Sequence, residues 1–168
     1  MTRSITSKVK LFEVVKLSNI PDWLQQETSV EIKGNFFQRL YKKEISESFM
    51  TQFRQYFSQL VGAKDIAIGS GWMNYLTYQS NQINSFGWHD ENGIGSAPSE
   101  YPFSCVFWLA GDKNKGGQLK YLDENQMVKS IDFDPPAFII IEKTTIHSVD
   151  HYAGKTPRVS FNFNFDVM

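Results

Sequence analysis

Arg158-Val159-Ser160-Phe161-Asn162-Phe163-Asn164-Phe165-Asp166-Val167 is the stretch that decides the fold. Val159, Phe161, Phe163 and Phe165 alternate with Arg158, Ser160, Asn162 and Asn164. Successive side chains of a strand point to opposite faces, so four apolar residues share one face and four polar residues the other. An ordinary half-exposed strand would turn the polar face to water. A strand in a barrel wall would turn it toward an internal ligand cavity and seat the phenylalanines beneath helices. Alternation alone leaves both open.

Working outward, short strand-like stretches follow one another from residue 64: 65–68, 73–79, 102–109, 118–122, 127–133, 137–141 and 158–167. Turn clusters separate them, among them Gly111-Asp112, Asn114-Lys115-Gly116-Gly117 and Asp134-Pro135-Pro136. Several short strands at such spacing predict a barrel or sandwich. Upstream, Ile45, Phe49, Met50, Phe53, Tyr56, Phe57, Leu60 and Val61 recur at intervals of three and four, which predicts a helix over 44–61 with Gly62 as its stop. A shorter helix is expected after Pro21, through Trp23 and Leu24. The expected architecture is mainly β: one domain over 1–168, with a helical part at about 1–63 packed on one outer face of a β-barrel at about 64–168.

Composition limits the classes of function. With 168 residues, 41% hydrophobic and 15% aromatic, the chain can bury a sizeable core. Its 17 basic and 18 acidic side chains leave a formal net charge of -1, and no basic run suggests a nucleic-acid partner. Cys105, the only cysteine, sits in Phe103-Ser104-Cys105-Val106-Phe107-Trp108 and reads as a core thiol. The first ten residues lack the apolar stretch of a secretion signal, and runs such as 137–141 are far too short to span a bilayer. The expectation is a soluble, cytoplasmic protein without a membrane partner.

Only three histidines exist, and two stand where strands end or begin. His89 and Glu91 are two apart, so in extended backbone both reach one side while Asp90 points away; a sharp turn would let Asp90 compete. His147 follows the strand Phe138-Ile139-Ile140-Ile141 and is flanked by Ile146 and Val149, whereas His151 falls in an expected loop running to Gly154 and is the alternative ligand. Two imidazoles and one carboxylate hold iron(II) in non-haem oxygenases and leave positions open. Arg158, eleven residues after His147, adds a planar fork of donors suited to a carboxylate.

These residues carry a resemblance. His89-Asp90-Glu91, Gly116-Gly117-Gln118-Leu119, His147-Ser148-Val149, Gly154 and Arg158-Val159-Ser160 stand in an order and spacing that resembles the 2-oxoglutarate and iron(II)-dependent dioxygenases, in particular their prolyl 4-hydroxylase-like branch. About 90 residues, from Tyr75 to Phe165, are covered. The resemblance implies a double-stranded β-helix, a cupin-like jelly roll. It implies Fe(II) held by His89, Glu91 and His147, with 2-oxoglutarate bound through Arg158, Ser160 and Tyr78, and it allows ascorbate as an accessory reductant. The implied reaction hydroxylates an unactivated C–H of a small molecule, free amino acid or peptidyl residue with dioxygen, releasing succinate and CO2. The alternative is a metal-binding cupin-like protein without oxygenase activity, an isomerase or a 2-oxoglutarate sensor. Glu91 stands where the family more often has Asp, and Trp108 where it often has a tyrosine near the co-substrate. The loop after Glu91, 92–101, is expected to select substrate, with Trp88 and Trp108 as candidate pocket residues.

Overall fold

The computed structural model describes residues 4–29, 38–41, 45–76, 86–91 and 100–168. Tyr78 and most of the expected substrate loop, 92–99, lie outside them. The described strands are β1 (Val15–Lys16), β2 (Gln38–Tyr41), β3 (Ile66–Leu76), β4 (Phe86–His89), β5 (Phe103–Ala110), β6 (Leu119–Leu122), β7 (Val128–Ile131), β8 (Ala137–Glu142), β9 (His147–Val149) and β10 (Arg158–Val167). The helices are α1 (Asp22–Gln25), followed by a 3-10 turn at Gln26–Thr28, and α2 (Glu47–Val61).

Two antiparallel sheets form, a six-stranded one in the order β1-β8-β5-β10-β3-β2 and a four-stranded one in the order β4-β9-β6-β7. This is the mainly-β, cupin-like arrangement expected. β10 lies in the middle of the larger sheet, paired with β3 on one side and β5 on the other. Its alternation therefore decides what each face of that sheet becomes.

The outer face is the core. Phe161, Phe163 and Phe165 join Phe103, Phe107, Phe138 and Met73 there, all buried. α2 covers them with Phe49, Phe53, Phe57 and Val61, spaced so that they share one face of the helix. The rings meet edge to face: Phe53 stands 4.8 Å from Phe161 and Phe57 4.9 Å from Phe163. Each such phenylalanine contributes roughly 1.5–3 kcal/mol by leaving water. The helix begins three residues later than its apolar periodicity predicts, because the Ser46 side chain caps it by accepting from the Phe49 N–H at 3.1 Å. It ends as expected at Gly62, which takes φ 72°.

The two predicted strands 65–68 and 73–79 are one strand, β3, through Leu76. Gly69 and Gly71 read as a break between them. They instead sit beside a bulge, where the β10–β3 register shifts between Phe163 and Phe165; glycine in a strand often marks such a place. Among the described residues no helix is long and apolar enough to cross a membrane.

Candidate metal centre

β4 and β9 bring the two histidines together by register: His89 and His147 are direct antiparallel partners. Their ring centroids are 4.4 Å apart. Each ring is aimed by its own backbone, His89 Nδ1 lying 2.6 Å from the Gly87 carbonyl oxygen and His147 Nδ1 2.9 Å from that of Thr145. Those bonds turn both Nε2 atoms inward, toward Glu91, which is how ligand histidines are oriented.

Glu91 comes two residues past His89. Its backbone N–H donates to the Lys143 carbonyl at 2.9 Å, which pins the chain just beyond β4. Its Oε1 lies 3.1 Å from His147 Nε2 and 3.4 Å from His89 Nε2. The ligand atoms of the three residues all fall within 4.8 Å of one another. Asp90 and His151 lie outside this group. Burial works to raise the Glu91 carboxyl, but hydrogen bonds from His147 and His89 outweigh it and hold the group at about 2, below the usual 4.5. Glu91 is thus an anion at neutral pH. Its second oxygen, Oε2, is buried without a partner.

The trio borders a cavity of about 390 Å3 between the two sheets, and the polar face of β10 lines it with Arg158, Ser160, Asn162 and Asn164. Of the two possibilities left open by alternation, the inward one holds. Arg158 is 1% exposed. Its Nε donates to the Gly117 carbonyl at 3.1 Å and its guanidinium lies 4.8 Å over the Phe133 ring. Nη2 is buried with no partner. Burial draws the guanidinium down from 12.5 to about 10. Ser160, also buried, accepts from Asn162 Nδ2 at 3.3 Å. Lys120, on the neighbouring β6, pairs with Asp150 at 3.1 Å and is not among the residues that line the cavity.

A buried cation needs a frame, and the frame comes from residues that sequence patterning did not single out. Tyr152 is fully buried; its hydroxyl donates to the Thr156 carbonyl and accepts from the Asp112 N–H at 2.9 Å. Asp112 Oδ2 accepts from the N–H groups of Lys155 and Thr156 at 2.7 and 3.0 Å. The segment between His147 and Arg158 is thereby tied down at both ends. Gly154 lies so close to the Tyr152 ring that a Cβ would collide with it. Gly117, at φ 77°, takes a conformation that side chains disfavour, and a Cβ there would come within 3.0 Å of the arginine side chain. Gly117 is thus explained by the arginine it adjoins, and Gly116, at φ 83°, by the His151 carbonyl oxygen, which a Cβ would overlap.

Trp88 lines the cavity and is 48% exposed, whereas Trp108 is fully buried, packs edge-on against Phe133 and has an unpartnered Nε1. Cys105 is a buried thiol raised well above its ordinary range by burial, as a core cysteine should be. Asn74 and Ser104 also face the cavity. Their positions were readable in principle, since Trp72 and Asn74 alternate with Met73 and Tyr75 as the residues of β10 do.

No family model matches the chain, and no curated sequence matches it. Solved structures do. An oxidoreductase of the 2OG-Fe(II) oxygenase family from Burkholderia pseudomallei superposes with a TM-score of 0.61 at 15% identity, over 86% of this chain and 75% of its own. A Pseudomonas putida prolyl-4-hydroxylase gives 0.55 at 15% identity over 79% and 72%. EctD from S. alaskensis, solved with bound Fe, gives 0.61 at 14% identity over 92% and 72%. The chain therefore has the fold of the 2-oxoglutarate–iron(II) oxygenases, and within that fold its His89, Glu91 and His147 stand where together they could hold a metal ion.

Proposed function

We propose that the chain is an Fe(II)- and 2-oxoglutarate-dependent dioxygenase that hydroxylates an unactivated C–H bond. The observation that carries the reading is a cavity with unmet groups of opposite kind on its wall. Glu91 Oε2 and two inward imidazoles border it at one place, and Arg158 Nη2 at another. A buried group without a partner costs about 1–3 kcal/mol, so each asks for a ligand. The donor set of two imidazoles and a carboxylate suits iron(II). A dicarboxylate suits the arginine, because a guanidinium binds carboxylate through two parallel bonds.

His89, Glu91 and His147 would hold the metal on one face. Arg158 would take the distal carboxylate of 2-oxoglutarate with Ser160 beside it, and Tyr78 remains a candidate for the metal-proximal end. Iron(II) and 2-oxoglutarate, when bound, would supply the reduction of dioxygen needed for C–H hydroxylation, with succinate and CO2 as co-products. The protein's part is to aim the histidines through Gly87 and Thr145, keep Glu91 ionised and exclude water from around the arginine. Glu91 occupies the carboxylate position that halide-transferring relatives leave open, which supports hydroxylation. No Arg or Lys follows Arg158, which speaks against a nucleic-acid substrate.

Anaerobic addition of 2-oxoglutarate to the Fe(II)-loaded protein should produce a weak visible charge-transfer band, and aerobic turnover should release succinate. Absence of the band in folded, metal-replete protein defeats the proposal. A band without succinate would leave a cupin-like sensor.

A further inference from the structure

Besides the metal site and the arginine, the cavity wall has a chemistry that neither of them uses. Asn74 of β3, Ser104 of β5, and Asn162 and Asn164 of β10 all face it. Asn74 is 2% exposed, and its Oδ1 has no partner. Asn162 Oδ1 has none either, although its Nδ2 reaches Ser160. Asn164 accepts from the Ser104 hydroxyl.

2-Oxoglutarate carries only acceptors at neutral pH, so it cannot satisfy these carbonyls. Turning an amide about its last bond exchanges its oxygen and nitrogen and leaves a different unmet group. A hydroxyl both donates and accepts, and meets an amide in either orientation. The wall therefore fits a ligand with several hydroxyls.

Among the described residues that line the cavity, the carboxylate and guanidinium groups are Glu91 and Arg158, and both have roles at the metal and co-substrate. Beside His89, Trp88 also lines the cavity and is half exposed, offering a flat apolar face. Flat C–H faces of rings settle on such a surface while their polar edges turn to hydrogen-bonding groups.

We propose that the primary substrate is a polyhydroxylated ring, a sugar-like or cyclitol-like molecule. It lays a C–H face on Trp88 and offers hydroxyls to Asn74 and Asn162. This rests on the dioxygenase reading and specifies its substrate. One ring C–H becomes C–OH, dioxygen is consumed, and 2-oxoglutarate leaves as succinate and CO2, so atoms and electrons balance. A cavity of about 390 Å3 stands toward the small end of the ~300–1,000 Å3 usual for ligand pockets, which suits a co-substrate with one small ring.

The test uses the full chain loaded anaerobically with Fe(II) and 2-oxoglutarate, whose charge-transfer band is recorded first. Methyl glycosides of neutral hexoses and myo-inositol are then added, in parallel with free amino acids and with short capped peptides. The polyols should shift the band, quench tryptophan fluorescence and, in air, raise succinate release at least tenfold over the substrate-free rate. Trp88→Ala should weaken the apparent polyol affinity about tenfold, the loss of roughly 1.4 kcal/mol of ring stacking, while Trp88→Phe keeps most of it. A response confined to amino acids or peptides overturns the proposal. So does a normal 2-oxoglutarate band that no polyol perturbs. Absence of the band itself defeats the dioxygenase reading, a separate and earlier failure.

Discussion

Replacing Arg158 with methionine should make the metal-free protein more stable and the co-substrate site useless. The guanidinium is 1% exposed and its pKa falls from 12.5 to about 10 through burial. At 1.36 kcal/mol per pH unit, that fall means the fold disfavours the charged form by about 3 kcal/mol. The folded pKa lies below the unfolded one, so the penalty is present in full at neutral pH and is relieved only as pH rises through about 10. Two contacts offset it: the bond from Nε to the Gly117 carbonyl and the Phe133 ring under the cation, each about 1 kcal/mol. Methionine removes penalty and contacts together, for a net gain of about 1 kcal/mol. For a chain of this length the melting temperature should rise by about 2–4 °C. Meanwhile the loss of a bidentate charged pair, about 3 kcal/mol, should weaken 2-oxoglutarate binding about 100-fold. Calorimetry of the metal-free variant reads the first effect; anaerobic titration of the Fe(II) form reads the second. A melting temperature several degrees below wild type would show that Arg158 is a structural cation. Unchanged 2-oxoglutarate affinity would show that it is not the carboxylate site.

His89→Ala and His147→Ala should each abolish the charge-transfer band, and His151→Ala should keep it; the opposite result for the last two would move the distal ligand to His151. Glu91→Gln should lower the melting temperature of the metal-free protein at pH 6, because a carboxyl held at about 2 contributes stability above its unfolded value of 4.5 and loses it as pH falls toward 2. The deficit should shrink on acidification over that window, and a deficit independent of pH would contradict the assignment. Asp90→Ala should leave the band intact.

What was legible in the sequence came from period and rarity. The two-residue period of β10 separated an apolar from a polar face, though not which way the polar face turned, and three histidines in the whole chain left few ways to build a site. Period fails where side chains are absent: Gly69 and Gly71 fall in the gap between the two stretches expected at 65–68 and 73–79, though the backbone runs on through a bulge. It also gives no register. Nothing in the spacing of His89 and His147 says that they pair directly across β4 and β9; that is a property of how the smaller sheet sets its strands side by side. The frame around Arg158 was hidden for a similar reason. Tyr152 and Asp112 act through backbone groups of Lys155 and Thr156, and backbone partners leave no trace in composition.

β10 also has a mechanical meaning. Its phenylalanines carry the contact with α2 and its polar side chains carry the cavity wall, so one layer of backbone separates the two. Truncating Phe161 or Phe163 will therefore shift Ser160 and Asn162, and damage done on the helix side will surface as altered ligand affinity before the fold is lost. Variants of α2, none of which touches the cavity, will separate into those that loosen this partition and those that leave it rigid. In this chain, thermal softness and substrate discrimination are expected to drift together under mutation.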